Sequence, residues 1–172
     1  MYNIQCMIMR ASFGGIFVTD RSERQERIAE LSEKYKACAL EKEISRVKAE
    51  MSAEIAGFAQ KYEFAGGDTA ERLKKLIDEL PGGLDGFDFD KLPAHRVFSA
   101  KGVDTRERTA YFCSLVGSEE IFEIFVKGRL SDFLDDYDDW YFYGAYMLLV
   151  YEDFGGFVYI DDNQNMTEAF LR

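Results

Sequence analysis

The 172-residue chain is poor in the residues that punctuate, staple or catalyse. It has two prolines, Pro81 and Pro93, which excludes a proline-rich linker or a polyproline recognition tract. Its three cysteines, Cys6, Cys38 and Cys113, are odd in number, far apart and free of any C-x-x-C spacing. That pattern excludes a disulfide framework and makes the reducing cytoplasm the expected compartment. The sole histidine, His95, has no partner motif around it, so it reads as a structural or surface residue rather than part of a triad or a His-based metal site. G-x-S-x-G, H-E-x-x-H, G-x-G-x-x-G and the Walker loop are all missing, which removes the usual signatures of acyl transfer, zinc hydrolysis and nucleotide binding. Long apolar runs are missing too. The longest uncharged stretch near the C-terminus, Trp140 to Tyr151, covers twelve residues, too few for a membrane-spanning helix. The opening MYNIQCMIMR lacks a basic n-region and is interrupted by Arg10, so no secretory signal is expected.

What is present argues for a folded protein. Apolar residues make up 47% and aromatics 15%, enough to build a core despite a net charge of −11. The charge is unevenly placed. Residues 20–62 carry nine acids and nine bases, whereas residues 119–162 carry twelve acids against Lys127 and Arg129. Nearly the whole net charge thus lies in one stretch. A surface for a nucleic-acid backbone is disfavoured, because phosphate contacts need clustered Lys and Arg. A basic protein surface is the complementary partner.

The alternation of Tyr2, Ile4, Cys6 and Ile8 with polar or sulfur-bearing neighbours predicts an N-terminal strand, and Ile16 to Val18 a second one after a glycine turn. Asp20 or Ser22 is placed to cap a helical pattern that runs to about Tyr62. Its apolar stripe changes side. Ile28, Leu31, Tyr35 and Cys38 share one face, and Leu40, Ile44, Val47, Met51, Ile55, Phe58 and Tyr62 share another, roughly 170° round the helix at 3.6 residues per turn. Either the helix breaks near Ala39, or it is continuous and packs on different bodies at its two ends. A short helix is predicted after Asp68, a strand near 95–100, a helix over 104–116, and a segment at 121–126 that fits helix or strand. The run Trp140 to Tyr151 reads as a central strand, Phe157 to Ile160 as its hairpin partner, and Thr167–Leu171 as a short helix.

The phrase FGG occurs twice, at 13–15 and 154–156, each followed by an apolar run and an Asp. A phosphate loop would need a helix N-terminus after the glycines. A strand follows here, so both copies read as hairpin turns, with glycine supplying positive φ. The acids Asp135, Asp136, Asp138 and Asp139 lack the spacing of a calcium loop. Asp161, Asn163 and Asn165 match three positions of one, but Met166 stands where glycine is required. Asp85, Asp88 and Asp90 fail similarly, and no cofactor or metal is expected. The aromatic run 140–146 reads mainly as core.

The expected fold is α+β: an antiparallel sheet from the N- and C-terminal hairpins, packed with helices, plus a long helix or helix pair over about 21–62. A single domain over 1–172 is expected, from which 21–62 could project. The expected function is that of a non-enzymatic, cytoplasmic protein–protein interaction module with no catalytic residues, no direct nucleic-acid binding and no membrane contact. Its partner surface would comprise Asp135, Asp136, Asp138, Asp139, Trp140, Glu152, Asp153, Asp161 and Asp162. Small acidic proteins of this size and charge include anti-defence inhibitors of nucleic-acid-binding partners, such as anti-CRISPR proteins, and toxin-neutralising immunity proteins. That is an analogy of size and charge alone. The alternatives are a hydrolase or sugar-binding protein using carboxylates around Asp139 and Asp153, and an assembly protein that oligomerises through residues 40–62.

Overall fold

Seven strands form one antiparallel sheet in the computed structural model, which describes residues 21–81, 88–98, 108–116, 121–141, 143, 147–161 and 165–171. They are β1 (Tyr62–Ala65), β2 (Ala94–Phe98), β3 (Thr109–Val116), β4 (Ile121–Arg129), β5 (Met147–Tyr151), β6 (Gly156–Ile160) and β7 (Met166–Phe170). Their order across the sheet is β1-β4-β3-β5-β6-β7-β2, every neighbouring pair being antiparallel. The helices are α1 (Arg21–Glu54), α2 (Phe58–Lys61), α3 (Gly67–Asp78), α4 (Leu130–Asp135) and α5 (Tyr137–Tyr141). The fold is α+β, as the sequence predicts. The expected N-terminal hairpin lies outside the described residues. Among those described, no helix is long and apolar enough to cross a membrane.

The chain divides into two compact units, Met1–Ala37 and Cys38–Arg172. In the first, the described residues belong to α1, and positions 23–37 are exposed throughout. In the second, the sheet is apolar on both faces. One face presents Ala110, Phe112, Ile124, Val126, Met147, Leu149, Val158 and Ile160. It packs against Leu40, Ile44, Val47 and Met51 of α1 and against Phe133 and Trp140 of α4 and α5. The other face presents Tyr111, Cys113, Phe125, Leu148, Val150, Phe157 and Ala169, and is covered by Leu73 and Ile77 of α3 with Leu80 beyond it. Full burial of side chains such as Met51, Leu149 and Trp140 contributes about 1.5–3 kcal/mol each for the aliphatic ones and more for the indole.

α1 does not break at Ala39; it is helical from Arg21 to Glu54. It ends eight residues before Tyr62, because the turn after Glu54 passes through Gly57 in the left-handed region (φ 70), a conformation that glycine adopts without penalty. The second apolar stripe of α1 is therefore spent on the chain's own sheet: Met51 is fully buried and Ile55 nearly so. Leu40, Ile44 and Val47 pack partly against the same core. Three further expectations change. Residues 109–116 are the strand β3 rather than a helix, and residues 166–170 are the strand β7. The strand predicted over 140–151 is confined to 147–151, with Trp140 in the helix α5.

Candidate functional site

The acids of 132–139 stand on α4, on α5 and, at Asp136, in the turn between them, a helical corner that follows β4 directly. Asp132 accepts a hydrogen bond from Arg129 Nε at 3.0 Å, and Asp132 O accepts the amide of Asp136 at 2.9 Å. The corner is pinned to the body at Asp136. Lys61 Nζ donates to Asp136 Oδ2 at 2.6 Å, and the Tyr62 hydroxyl donates to the same oxygen at 2.8 Å. Partial burial pushes the Asp136 carboxyl up, but the two donors outweigh it and hold the group below the ordinary carboxylate range. The hydrogen bond to Asp136 raises Lys61. Burial, with the nearby carboxylate, pushes the Tyr62 phenol well above its usual value.

A second pin is Trp140, whose ring meets Tyr62 at 4.8 Å, Phe112 at 4.7 Å and Phe133 at 5.0 Å between centroids. It has no exposed surface. Trp140 is thus not part of a partner-facing surface, contrary to expectation; the aromatic that follows the acids is the rivet that fixes them. Tyr62 reaches both pins because its ring lies over Gly128. A Cβ at position 128 would stand 2.4 Å from Tyr62 Cδ1 and 3.1 Å from Phe133, so only glycine permits this approach.

Once the pinned residues are set aside, Asp135, Asp138 and Asp139 remain. All three are exposed, and among the described residues no cation pairs with any of them. The remaining predicted site residues do not join this cluster. Glu152 is exposed but paired with Lys127 at 2.7 Å. Asp153 accepts the amide of Gly155 at 2.8 Å and shapes the turn between β5 and β6. The positive φ in that turn falls on Phe154 (φ 58); Gly156 is needed instead for close approach, its Cβ position lying 2.5 Å from Ala169 O. Asp161 accepts from the Asn165 amide (2.8 Å) and side chain (3.0 Å), closing the turn between β6 and β7. Asp162 lies outside the described residues. The acids of the two turns thus sit at opposite ends of β6, not on one continuous face.

A second constellation leaves no signature in the sequence. Glu168 of β7, almost completely buried, accepts from the Tyr151 hydroxyl at 2.5 Å and from Arg108 Nη1 at 3.1 Å. The Arg108 guanidinium lies 4.7 Å above the Tyr151 ring. Burial first, then the carboxylate, push the Tyr151 phenol well above its usual value. Beside this group is a cavity of about 360 Å³ lined by Arg108, Thr109, Tyr151, Glu152, Asp153 and Phe170, among others. Glu168 escaped notice because a lone acid in M-T-E-A-F carries no motif, and its partners lie 17 and 60 positions away. Asp139 and Asp153, the pair that a carboxylate hydrolase would require, stand on α5 and in the β5–β6 turn, with no hydrogen bond between them among the described residues.

No protein-family model matches the chain, and neither a curated protein nor a solved structure does.

Proposed function

We propose that the protein is a non-enzymatic, cytoplasmic binding module whose α4–α5 corner engages a basic surface on a partner protein. The partner class that fits best is a nucleic-acid-binding protein whose groove is blocked by carboxylates standing in for phosphates, as an anti-defence or anti-CRISPR-like inhibitor would do. A toxin neutralised by an immunity protein fits the same charge pattern. One observation carries this reading. Asp135, Asp138 and Asp139 are exposed, without a counter-ion among the described residues, on a corner pinned by Asp136 and Trp140. Unpaired charges on a preorganised scaffold favour fast, salt-sensitive association with an oppositely charged surface.

The test is affinity capture from nuclease-treated host extract, comparing the native protein with a variant carrying Asp135→Asn, Asp138→Asn and Asp139→Asn. The captured partner should bind the variant at least tenfold more weakly at low salt and with a flatter salt dependence. Equal affinity at low salt would overturn the acidic-corner reading.

The cavity at Arg108 favours a second reading, a sugar-binding site. It combines aromatic walls (Tyr151, Phe170) with carboxylates and a guanidinium, the mixture that stacks on and hydrogen-bonds to a polyol. Chemical-shift perturbation of Thr109 and Phe170 by an oligosaccharide panel, lost in Arg108→Gln, would support it; an unresponsive spectrum would remove it.

A further inference from the structure

Three large apolar side chains are exposed among the described residues: Ile28 (61%), Leu31 (50%) and Tyr35 (76%). All three belong to α1, at spacings of three and four, so they form one stripe on one face. Scattered apolar residues on a surface are ordinary, whereas a helical stripe marks a face that is covered by something. The charges around it indicate what covers it. Arg24 lies on the stripe's own line, one turn before Ile28, and Arg27 and Lys34 lie on its shoulder. All three are exposed and have no ion pair among the described residues. At about 100° per residue, Glu26 and Glu33 fall on the opposite side of the helix, and Glu23 and Glu30 lie just beyond Arg27 and Lys34, farther from the stripe than either. The face is therefore apolar along the middle and basic along the edge.

We infer that this face docks on the α4–α5 corner of a second copy of the chain. Stripe against stripe would set Arg24, Arg27 and Lys34 of one copy beside the same cations of the other, which is repulsive. The corner offers the complement. Asp135, Asp138 and Asp139 supply three unpaired negative charges to meet three unpaired positive ones, around the half-buried apolar residues Leu134 and Tyr137. Two different patches meeting make a heterologous contact, each copy offering one patch of either kind. With only three large apolar side chains at its centre, the patch lacks the broad apolar core of a standard interface of roughly 800 Å² per partner. Association is accordingly weak, concentration-dependent and salt-sensitive. The inference shares the acidic corner with the partner-binding reading but does not require that partner.

Two charge-reversed variants of the full chain test it by sedimentation at low salt. One carries Arg24→Glu, Arg27→Glu and Lys34→Glu; the other carries Asp135→Lys, Asp138→Lys and Asp139→Lys. The native protein should gain mass with concentration over about 10 μM to 1 mM, a range typical of weak interfaces, and lose it at about 0.5 M salt as charges are screened. Each variant alone should stay monomeric, since all its docking charges then have one sign. An equimolar mixture of the two should associate again, because each junction regains opposite charges. A native protein that is monomeric throughout, or with Tyr35 shielded by residues 1–20, would overturn the inference. So would variants that still self-associate, or a mixture that remains monomeric. Partner capture by the Arg24/Arg27/Lys34 variant separates the two readings, because it should persist where self-association is lost.

Discussion

Asp136 and its neighbours at 135, 138 and 139 are identical in chemistry but opposite in use. Asp136 has a part-buried carboxyl held by two donors, so replacing it with Asn should destabilise the fold by about 1–2 kcal/mol at pH 7, read from the urea midpoint. The pH dependence follows from the direction of the shifts. Asp136 titrates below its ordinary value when folded. Its contribution is therefore fully present above the unfolded-chain value of about 3.9 and is lost as pH falls through the lower folded value. Lys61 titrates above its ordinary value, so its share is fully present below about 10.4 and is lost as pH rises through the folded value. The native and Asp136→Asn stability curves should differ across that window and converge in strong acid; a difference that persists there would assign the loss to packing instead. Gly128→Ala tests the other side of the pin. The new methyl would overlap the Tyr62 ring and should cost about 1–3 kcal/mol, typical of overpacking, with the Asp136 carbon resonance shifting as its hydroxyl donor moves. None of this was legible in the sequence, because Lys61 and Tyr62 lie 75 and 74 positions from Asp136 and a glycine inside a strand records nothing of the ring above it.

At the scale of elements, α1 is the most instructive. Its two stripes and their change of side were legible from spacing alone, and the structure resolves the choice in favour of one helix. The stripes have different fates, which predicts different sensitivities. Met51→Ala should cost about 2–5 kcal/mol, as for large core truncations, whereas Leu31→Ala should stay within about 0.5 kcal/mol, as at surface positions. Thermal melts of the two variants decide it. A comparable loss from Leu31→Ala would mean that residue is buried in the folded chain. The strands were less legible, for a physical reason. β3 and β5 are buried on both faces, so T-A-Y-F-C-S-L-V and M-L-L-V-Y carry no alternation to set them apart from core helices. The helix expected over 104–116 gives way to β3, which pairs with β4 and β5 on its two sides. β7 was misread because M-T-E-A-F holds good helix formers, yet it is paired along its whole length with β6 and β2; tertiary pairing overrode propensity.

For the whole molecule, the charge segregated into 119–162 does not form one continuous acidic face among the described residues. A count of acids over 119–162 takes no account of which ones the fold spends internally. Lys61, Arg129 and Lys127 each occupy a carboxylate, on Asp136, Asp132 and Glu152 respectively, and Asp153 and Asp161 close turns. Among the described residues of that stretch, Asp135, Asp138 and Asp139 are the exposed carboxylates left with neither an ion pair nor a turn hydrogen bond. If one corner serves both a basic partner and the stripe of another copy, the two compete. Adding the captured partner to a self-associated sample should dissolve the assemblies, with the sedimenting mass falling to that of a one-to-one complex. Assemblies that persist with bound partner would place the two contacts on separate surfaces.

The ring of Tyr62 resting on Gly128 has a consequence for descent. Position 128 has no chemistry of its own, yet it decides whether the aromatic at 62 can lie low enough to hold Asp136. In a drifting lineage the two positions should change together, a larger residue at 128 being accompanied by a smaller one at 62 and by release of the acidic corner. Inheritance of a glycine in the middle of a strand would then be a better marker of a retained, pinned corner than inheritance of the carboxylates themselves.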